Sequence, residues 1–293
     1  MKLPIKPLVA FLLVAMTFSQ SATAQERVVS IGGDVTEIIY ALGESDRLVA
    51  VDSTSLYPPD ALARPKVGYV RQLSAEGVLS VEPDLIVISG AAGPEPVLVQ
   101  IRETGVDMLE METEYTIDSI FTKIERIAAV LDVEEKGLAL KQKIAADWAE
   151  AESKIDALAM RPVVLFFSTV RDGTPTAAGT DTAAHAVIEL IGGTNPFDQQ
   201  IGYKPLSFES AVVADPDVIL IMDHVLKRMG GLEKVASHPA LALTSAAKNG
   251  MIIGVDAPPV MQFSPRTPGA VAKLAAEISA KLPAPENAPT DGE

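Results

Sequence analysis

One stretch of this chain occurs twice, and that repeat limits its architecture more than any other feature. Leu73-Ser-Ala-Glu76-Gly-Val-Leu-Ser-Val-Glu-Pro83-Asp84-Leu-Ile-Val-Ile88 aligns with Leu206-Ser-Phe-Glu209-Ser-Ala-Val-Val-Ala-Asp-Pro216-Asp217-Val-Ile-Leu-Ile221 at a constant offset of 133 residues. Allowing one gap, Val67-Gly68-Tyr69 also aligns with Ile201-Gly202-Tyr203. Solenoid units repeat every 20–50 residues or so, so a period this long means a duplicated lobe rather than a stacked array. The 293 residues are read as two related halves.

Periodicity supports this division. Short β-rich runs at 27–31, 48–51, 85–88 and 106–109 alternate with helical patterns at 35–42, 75–80 and 94–104. Strands alternating with helices predict a mainly parallel sheet covered on both faces, here an α/β lobe over 25–132. Ile117, Ile120, Phe121, Ile124, Ile127 and Leu131 then recur at helical spacing, as do Leu140, Ile144, Trp148, Ala151, Ile155 and Leu158. From 133 to 158 there is no proline and only Gly137. About 25 helical residues span about 38 Å, enough for a connecting helix at 133–160 to pass from one lobe to the other. The α/β pattern resumes over 161–282, with strands at 163–167, 218–221 and 251–255 and helices near 182–191, 207–214 and 267–282. The expected fold is two similar Rossmann-like lobes with a ligand cleft between them. The Pro-, Ala- and acid-rich tail at 283–293 reads as disordered.

The first 24 residues follow different rules. Lys2 and Lys6, an apolar run from 8 to 18 and Ala22-Thr23-Ala24 together form a cleavable export signal, too short for a membrane span. Its removal after Ala24 leaves 269 residues and changes the net charge from −15 to −17. The expectation is a soluble, exported protein, with a bacterial periplasm as its compartment. Such acidity argues against nucleic acid, which needs clustered Lys and Arg.

The available chemistry is narrow. There is no cysteine, so thiolate catalysis, iron–sulfur ligation and Cys-based zinc sites are excluded. His185, His224 and His238 lack close ligand spacing, and His185 reads as a packed residue on an apolar helix. No G-x-S-x-G, H-E-x-x-H or Walker loop is present, and Gly32-Gly33 reads as a strand-to-helix turn. An envelope α/β enzyme is thus a reading with no motif that places a nucleophile beside a base. Iron, if bound, must be held by oxygen.

This directs attention to Tyr69 and Arg71 in Gly68-Tyr69-Val70-Arg71-Gln72-Leu73. On an extended segment, residues i and i+2 point the same way, which places the guanidinium beside the phenol. A neighbouring cation favours phenolate, and a ferric ion favours it more. Tyrosine is a known axial ligand of haem iron. Packing with a surface salt bridge is the alternative reading of the pair. Glu76 and Glu209 hold equivalent positions in the repeat, near the start of a short helix in each lobe. Each acid complements a helix dipole, an effect of about 0.3–1 kcal/mol. Together they also present two matched negative points to a two-fold symmetric basic partner.

With these residues in view, the sequence resembles the periplasmic haem-binding proteins of bacterial haem ABC importers, within the wider siderophore, cobalamin and haem class of substrate-binding proteins. The landmarks are 27–33, Tyr57-Pro-Pro59, 67–77, 82–85, Ala178-Gly179, Gly192-Gly193 and Asp215-Pro-Asp217, covering nearly the whole mature chain. The segment around Tyr69 is the haem-specific one. The resemblance implies a bilobal fold with a rigid connecting helix, no enzymatic activity, and ferric haem b as the transported ligand. It makes Tyr69 the axial ligand and Arg71 the hydrogen-bond donor to its oxygen. Glu76 and Glu209 become the acids that dock on the two subunits of an inner-membrane permease dimer. Some family members hold a second haem through a histidine near the strand at 163–171, which has none here, so one haem per chain and a monomer are expected. Tyr203, Arg228 and Met261 are candidates for the opposite wall. A ferric-siderophore or cobalamin carrier on the same scaffold is the alternative.

Overall fold

A computed structural model describes residues 27–157, 161–169 and 175–282. The export signal, the last residues of the expected connecting helix and the tail lie outside the described residues.

The first lobe contains β1 (Val28–Ile31), α1 (Gly33–Ala41), β2 (Leu48–Val51), a small hairpin of β3 (Gly68–Tyr69) and β4 (Gln72–Leu73), α2 (Ala75–Leu79), β5 (Leu85–Ile88), α3 (Glu95–Arg102), β6 (Asp107–Glu110) and α4 (Ile117–Val130). Its sheet is parallel, in the order β2-β1-β5-β6. All four residues of β1 and of β5 are buried, which is why these strands read as continuous apolar runs rather than alternating ones.

The connecting helix α5 (Glu134–Asp156) has 23 residues, about 35 Å at the usual rise, and links the lobes as expected. The second lobe contains β7 (Val164–Thr169), β8 (Pro175–Ala178), α6 (Ala183–Leu190), β9 (Tyr203–Pro205), α7 (Phe208–Ala214), β10 (Val218–Met222), α8 (Asp223–Met229), α9 (Leu232–Ala236), α10 (Ser245–Lys248), β11 (Ile252–Val255), α11 (Ala257–Met261) and α12 (Thr267–Lys281). Its strand order is β11-β10-β7-β8-β9.

The two sheets show the duplication and its limit. β5 lies between β1 and β6 as β10 lies between β7 and β11, all parallel. Beside β1 stands parallel β2, whereas beside β7 stands antiparallel β8, extended by antiparallel β9. Sequence periodicity missed β8 and β9 because Pro-Thr-Ala-Ala and Tyr-Lys-Pro are too short and too weakly apolar to show a period.

One apolar core runs through both lobes and includes Val28, Val35 and Leu85 on one side and Phe166, Ile219 and Val271 on the other. α5 packs against α4 of the first lobe and against α12 of the second. Polar ties reinforce the seam. Lys123 Nζ on α4 donates to Asp34 Oδ2 of α1 at 2.9 Å and to the carbonyl oxygen of Phe263 at 2.6 Å. Arg266 donates twice to Glu37 of α1, at 2.9 and 2.5 Å, and its guanidinium lies 3.8 Å from the centre of the Tyr57 ring. The segment entering α12 is thereby fastened to α1 and α4. Among the described residues no helix is long and apolar enough to cross a membrane.

Candidate functional site

A cavity of about 660 Å³ opens between the lobes. The first lobe lines it with Asp34, Thr54, Tyr69, Val70, Arg71, Ser89, Tyr115 and Lys123, and the second with Ser168, Thr176, Asp181, Thr182, Tyr203, Met222, Met261 and Gln262. Clefts of this size between lobes are common small-ligand sites.

Tyr69 and Arg71 reach the cavity by a route other than the expected one. They do not share an extended segment. Val70 and Arg71 form the two-residue turn of the β3–β4 hairpin, in which Tyr69 pairs with Gln72 and Gly68 with Leu73. The reversal cancels the argument from i, i+2 alternation, yet both side chains line the cavity because the hairpin tip points there. The tip is well anchored. Gly68 O accepts from Ser53 N at 2.8 Å, Val70 O from Gly93 N at 2.9 Å, and Gly93 O from Leu73 N at 3.0 Å. Gly68 has φ +123°, a conformation an L side chain would rarely adopt. Next to the hairpin, fully buried Asp52 accepts from Gly32 N, Thr54 N, Thr54 Oγ1 and Ser55 Oγ at 2.6–2.9 Å, which fixes the loop carrying Thr54.

The salt-bridge alternative for Arg71 finds no support in the geometry. Among the described residues, no ion pair involves Arg71, and both Arg71 and Tyr69 are exposed, Tyr69 to 43%. The other lining cation, Lys123, is buried and already neutralised by Asp34. Among the described lining residues, Arg71 is therefore the cation without an ion pair, able to stabilise an anionic oxygen beside it.

On the opposite wall, Tyr203 opens edge strand β9, paired with Ala178 of β8. Gly179 N donates to Gly202 O at 2.9 Å, and Gly202 N to Thr180 O at 2.8 Å. A Cβ on Gly179 would fall 1.9 Å from the carbonyl oxygen of Gln200, so glycine is required for this approach. Burial pushes the Tyr203 phenol above its ordinary value; Tyr115 adds to the rise and Arg71 opposes it. Met261, at the end of α11, also lines the wall. Arg228, on the last turn of α8, is exposed and not among the lining residues.

Glu76 and Glu209 are both exposed, each the second residue of its helix, α2 and α7. The caps repeat as well, with Ser74 accepting from Gly77 N at 3.1 Å and Ser207 from Ser210 N at 3.0 Å. The histidines at 185 and 238 are accounted for locally. His185 Nδ1 meets Asn195 Nδ2 at 3.0 Å, and His238 Nδ1 accepts from Ala240 N at 3.2 Å. Among the described residues, no His or carboxylate group forms a metal-binding cluster.

Sequence reasoning overlooked Asp34, Tyr115, Lys123 and Gln262. A signal existed for Lys123: it stands three residues after Ile120 and four before Ile127, a charge inside an apolar stripe, which a buried helix face tolerates only if the charge is paired. Gln262 gave none, because its approach to Gly33, where a Cβ would come within 2.4 Å of its Oε1, is purely tertiary.

Comparison with known proteins places this geometry. A family profile described as periplasmic binding protein matches residues 28–259. The structure of the periplasmic heme-binding protein RhuT from Roseiflexus sp. RS-1, in apo form, is 35% identical, covers 88% of this chain and 99% of that one, and superposes with a TM-score of 0.84. The periplasmic heme-binding protein BhuT, in complex with two hemes, is 36% identical over 87% of this chain and 98% of that one, also with a TM-score of 0.84. A vitamin B12-binding protein of Vibrio cholerae is 28% identical over 267 residues, 90% of this chain and 93% of that protein.

Proposed function

Because the chain belongs to the periplasmic binding protein family, whose substrate-binding members are transport proteins that deliver ligand to ABC permeases rather than enzymes, we propose that it carries ferric haem b to an inner-membrane permease. The class to which it is similar is that of haem, B12 and siderophore carriers. The choice of haem rests on one observation: Tyr69 and Arg71, which has no ion pair among the described residues, stand together on one anchored hairpin tip facing the interlobe cavity. A phenolate oxygen is a hard anionic donor that ferric iron favours, and Arg71 stabilises that charge. A siderophore occupies its iron with its own oxygens and leaves nothing for Tyr69 to ligate.

The porphyrin would then lie between the lobes against Val70, Met222 and Met261, with Tyr69 on the iron. Glu76 and Glu209, matched in position, exposure and capping, would meet basic groups on the two permease subunits. The chain would act as a monomer exported through its leader. Titration with hemin should give a tyrosinate-type ferric spectrum, and Tyr69→Ala should abolish that signature and weaken binding. An unchanged spectrum in the variant would remove the ligand assignment. Cobalamin is the second reading, favoured by the B12-binding relative and by Gln262 and Thr54 in the lining, polar groups of the kind that meet amide side chains. Competition between hemin and cobalamin separates the two.

A further inference from the structure

The repeat brings a second tyrosine to the same cavity, and its surroundings assign it a different role. Gly68-Tyr69 and Gly202-Tyr203 are equivalent pairs, each opened by a glycine of positive φ, +123° and +73°. Because the lobes face one another across the cleft, equivalent positions project from opposite walls, and both rings line the cavity with similar exposure, 43% and 45%. The two tyrosines differ in their downstream neighbours. Tyr69 has Arg71 at the tip of its own hairpin. Two residues beyond Tyr203 stands Pro205, and Lys204 between them is not a lining residue. Among the described residues no cation on the segment of Tyr203 lines the cavity, the charge of Arg71 reaching it from the opposite lobe, and a phenol with its proton in place is a weak metal ligand and a good hydrogen-bond donor.

Resting on the haem reading, we propose that Tyr203 is a distal donor: its hydroxyl hydrogen-bonds the small anionic or oxygen group that occupies the iron face opposite Tyr69. The two lobes thus supply the same side chain for two tasks, ligation from the first and recognition of the sixth position from the second. Partial desolvation of the phenol and the nearby Tyr115 favour the protonated form of Tyr203, against the opposing charge of Arg71.

Fluoride is a suitable probe, since it binds ferric iron as an anion and accepts a hydrogen bond. The full mature chain is first titrated with hemin for affinity and stoichiometry, and the loaded protein is then titrated with fluoride by absorption. Losing a hydrogen bond to a charged acceptor weakens binding by about tenfold or more. Tyr203→Phe should therefore lower the fluoride affinity of the hemin-loaded protein by that factor while the tyrosinate signature of Tyr69 persists, and Tyr203→Ala should show at least the same loss. A residue that only packs against the porphyrin would leave the fluoride affinity of Tyr203→Phe unchanged, and that result overturns the proposal. So does a second hemin whose spectrum disappears in Tyr203→Phe, since Tyr203 would then be an axial ligand. If the wild type binds no hemin, the haem reading fails and this inference with it. If hemin binds but fluoride is indifferent to Tyr203, only the inference fails.

Discussion

Removing Lys123 should loosen the seam between the lobes, and the structure sets the size of the effect. Its ammonium is 2.9 Å from Asp34 Oδ2, with side-chain exposures of 7% and 9%, and 2.6 Å from the Phe263 carbonyl. At an effective dielectric constant of about 20, two unit charges at that separation attract by about 6 kcal/mol. Much of this offsets the cost of burying both charges, so the pair as a whole contributes little net stability. Deleting one member is different, because Lys123→Met leaves the Phe263 carbonyl buried without this donor and the Asp34 carboxylate with a 3.3 Å bond from Ser89 Oγ but no cation. The expected cost is about 3–5 kcal/mol. For a chain of this size that corresponds to a fall in Tm of roughly 10 °C, readable by circular dichroism and by urea denaturation. Lys123→Met combined with Asp34→Leu removes both charges and should recover most of the loss. A single variant within about 1 kcal/mol of wild type, or a double variant no more stable than the single, would refute the reasoning.

Two further outcomes rest on local geometry. Asp215 accepts from Ser245 N at 2.6 Å and Ser245 Oγ at 2.9 Å, and these bonds hold its carboxyl below the usual carboxylate range. A depressed folded-state value means stability that is present above the ordinary value near 3.8 and is lost as pH falls through the depressed one. Asp215→Asn tolerates the same left-handed backbone, φ +32°, so it isolates the charge. Its destabilisation, on the order of tenths of a kcal/mol because the group is exposed, should be measurable at pH 7 and vanish in strong acid. At the other face, Glu76→Ala and Glu209→Ala should leave hemin affinity and Tm nearly unchanged. Each should reduce carrier-stimulated ATP hydrolysis by a reconstituted haem permease, and the double variant should lose more than either single; full stimulation by the double variant would rule out docking through these acids.

The sequence was most legible where a single physical rule acted alone. β5 and β10 were readable because strands buried on both faces are continuous apolar runs, and α5 because a long stretch without proline cannot easily be anything else. The β3–β4 hairpin was misread as one extended segment because its turn, Val70-Arg71, lacks the Gly, Asn or Asp that usually marks a two-residue reversal. The hairpin is instead held by bonds to Ser53 and Gly93, residues distant enough in the chain to leave no local mark.

By itself the sequence determined that the chain is duplicated, that each half is α/β and that a long helix joins the halves, because these are matters of period and spacing. Only the tertiary structure decided that Tyr69, Arg71 and Tyr203 share one cavity, that Arg228 stands apart from it, and that Lys123 and Arg266 fasten the lobes together. The physical reason is distance along the chain: Lys123 meets Phe263 across 140 residues and Arg266 meets Glu37 across 229. Contacts of that kind arise when two lobes close over a common core, and no local pattern encodes them.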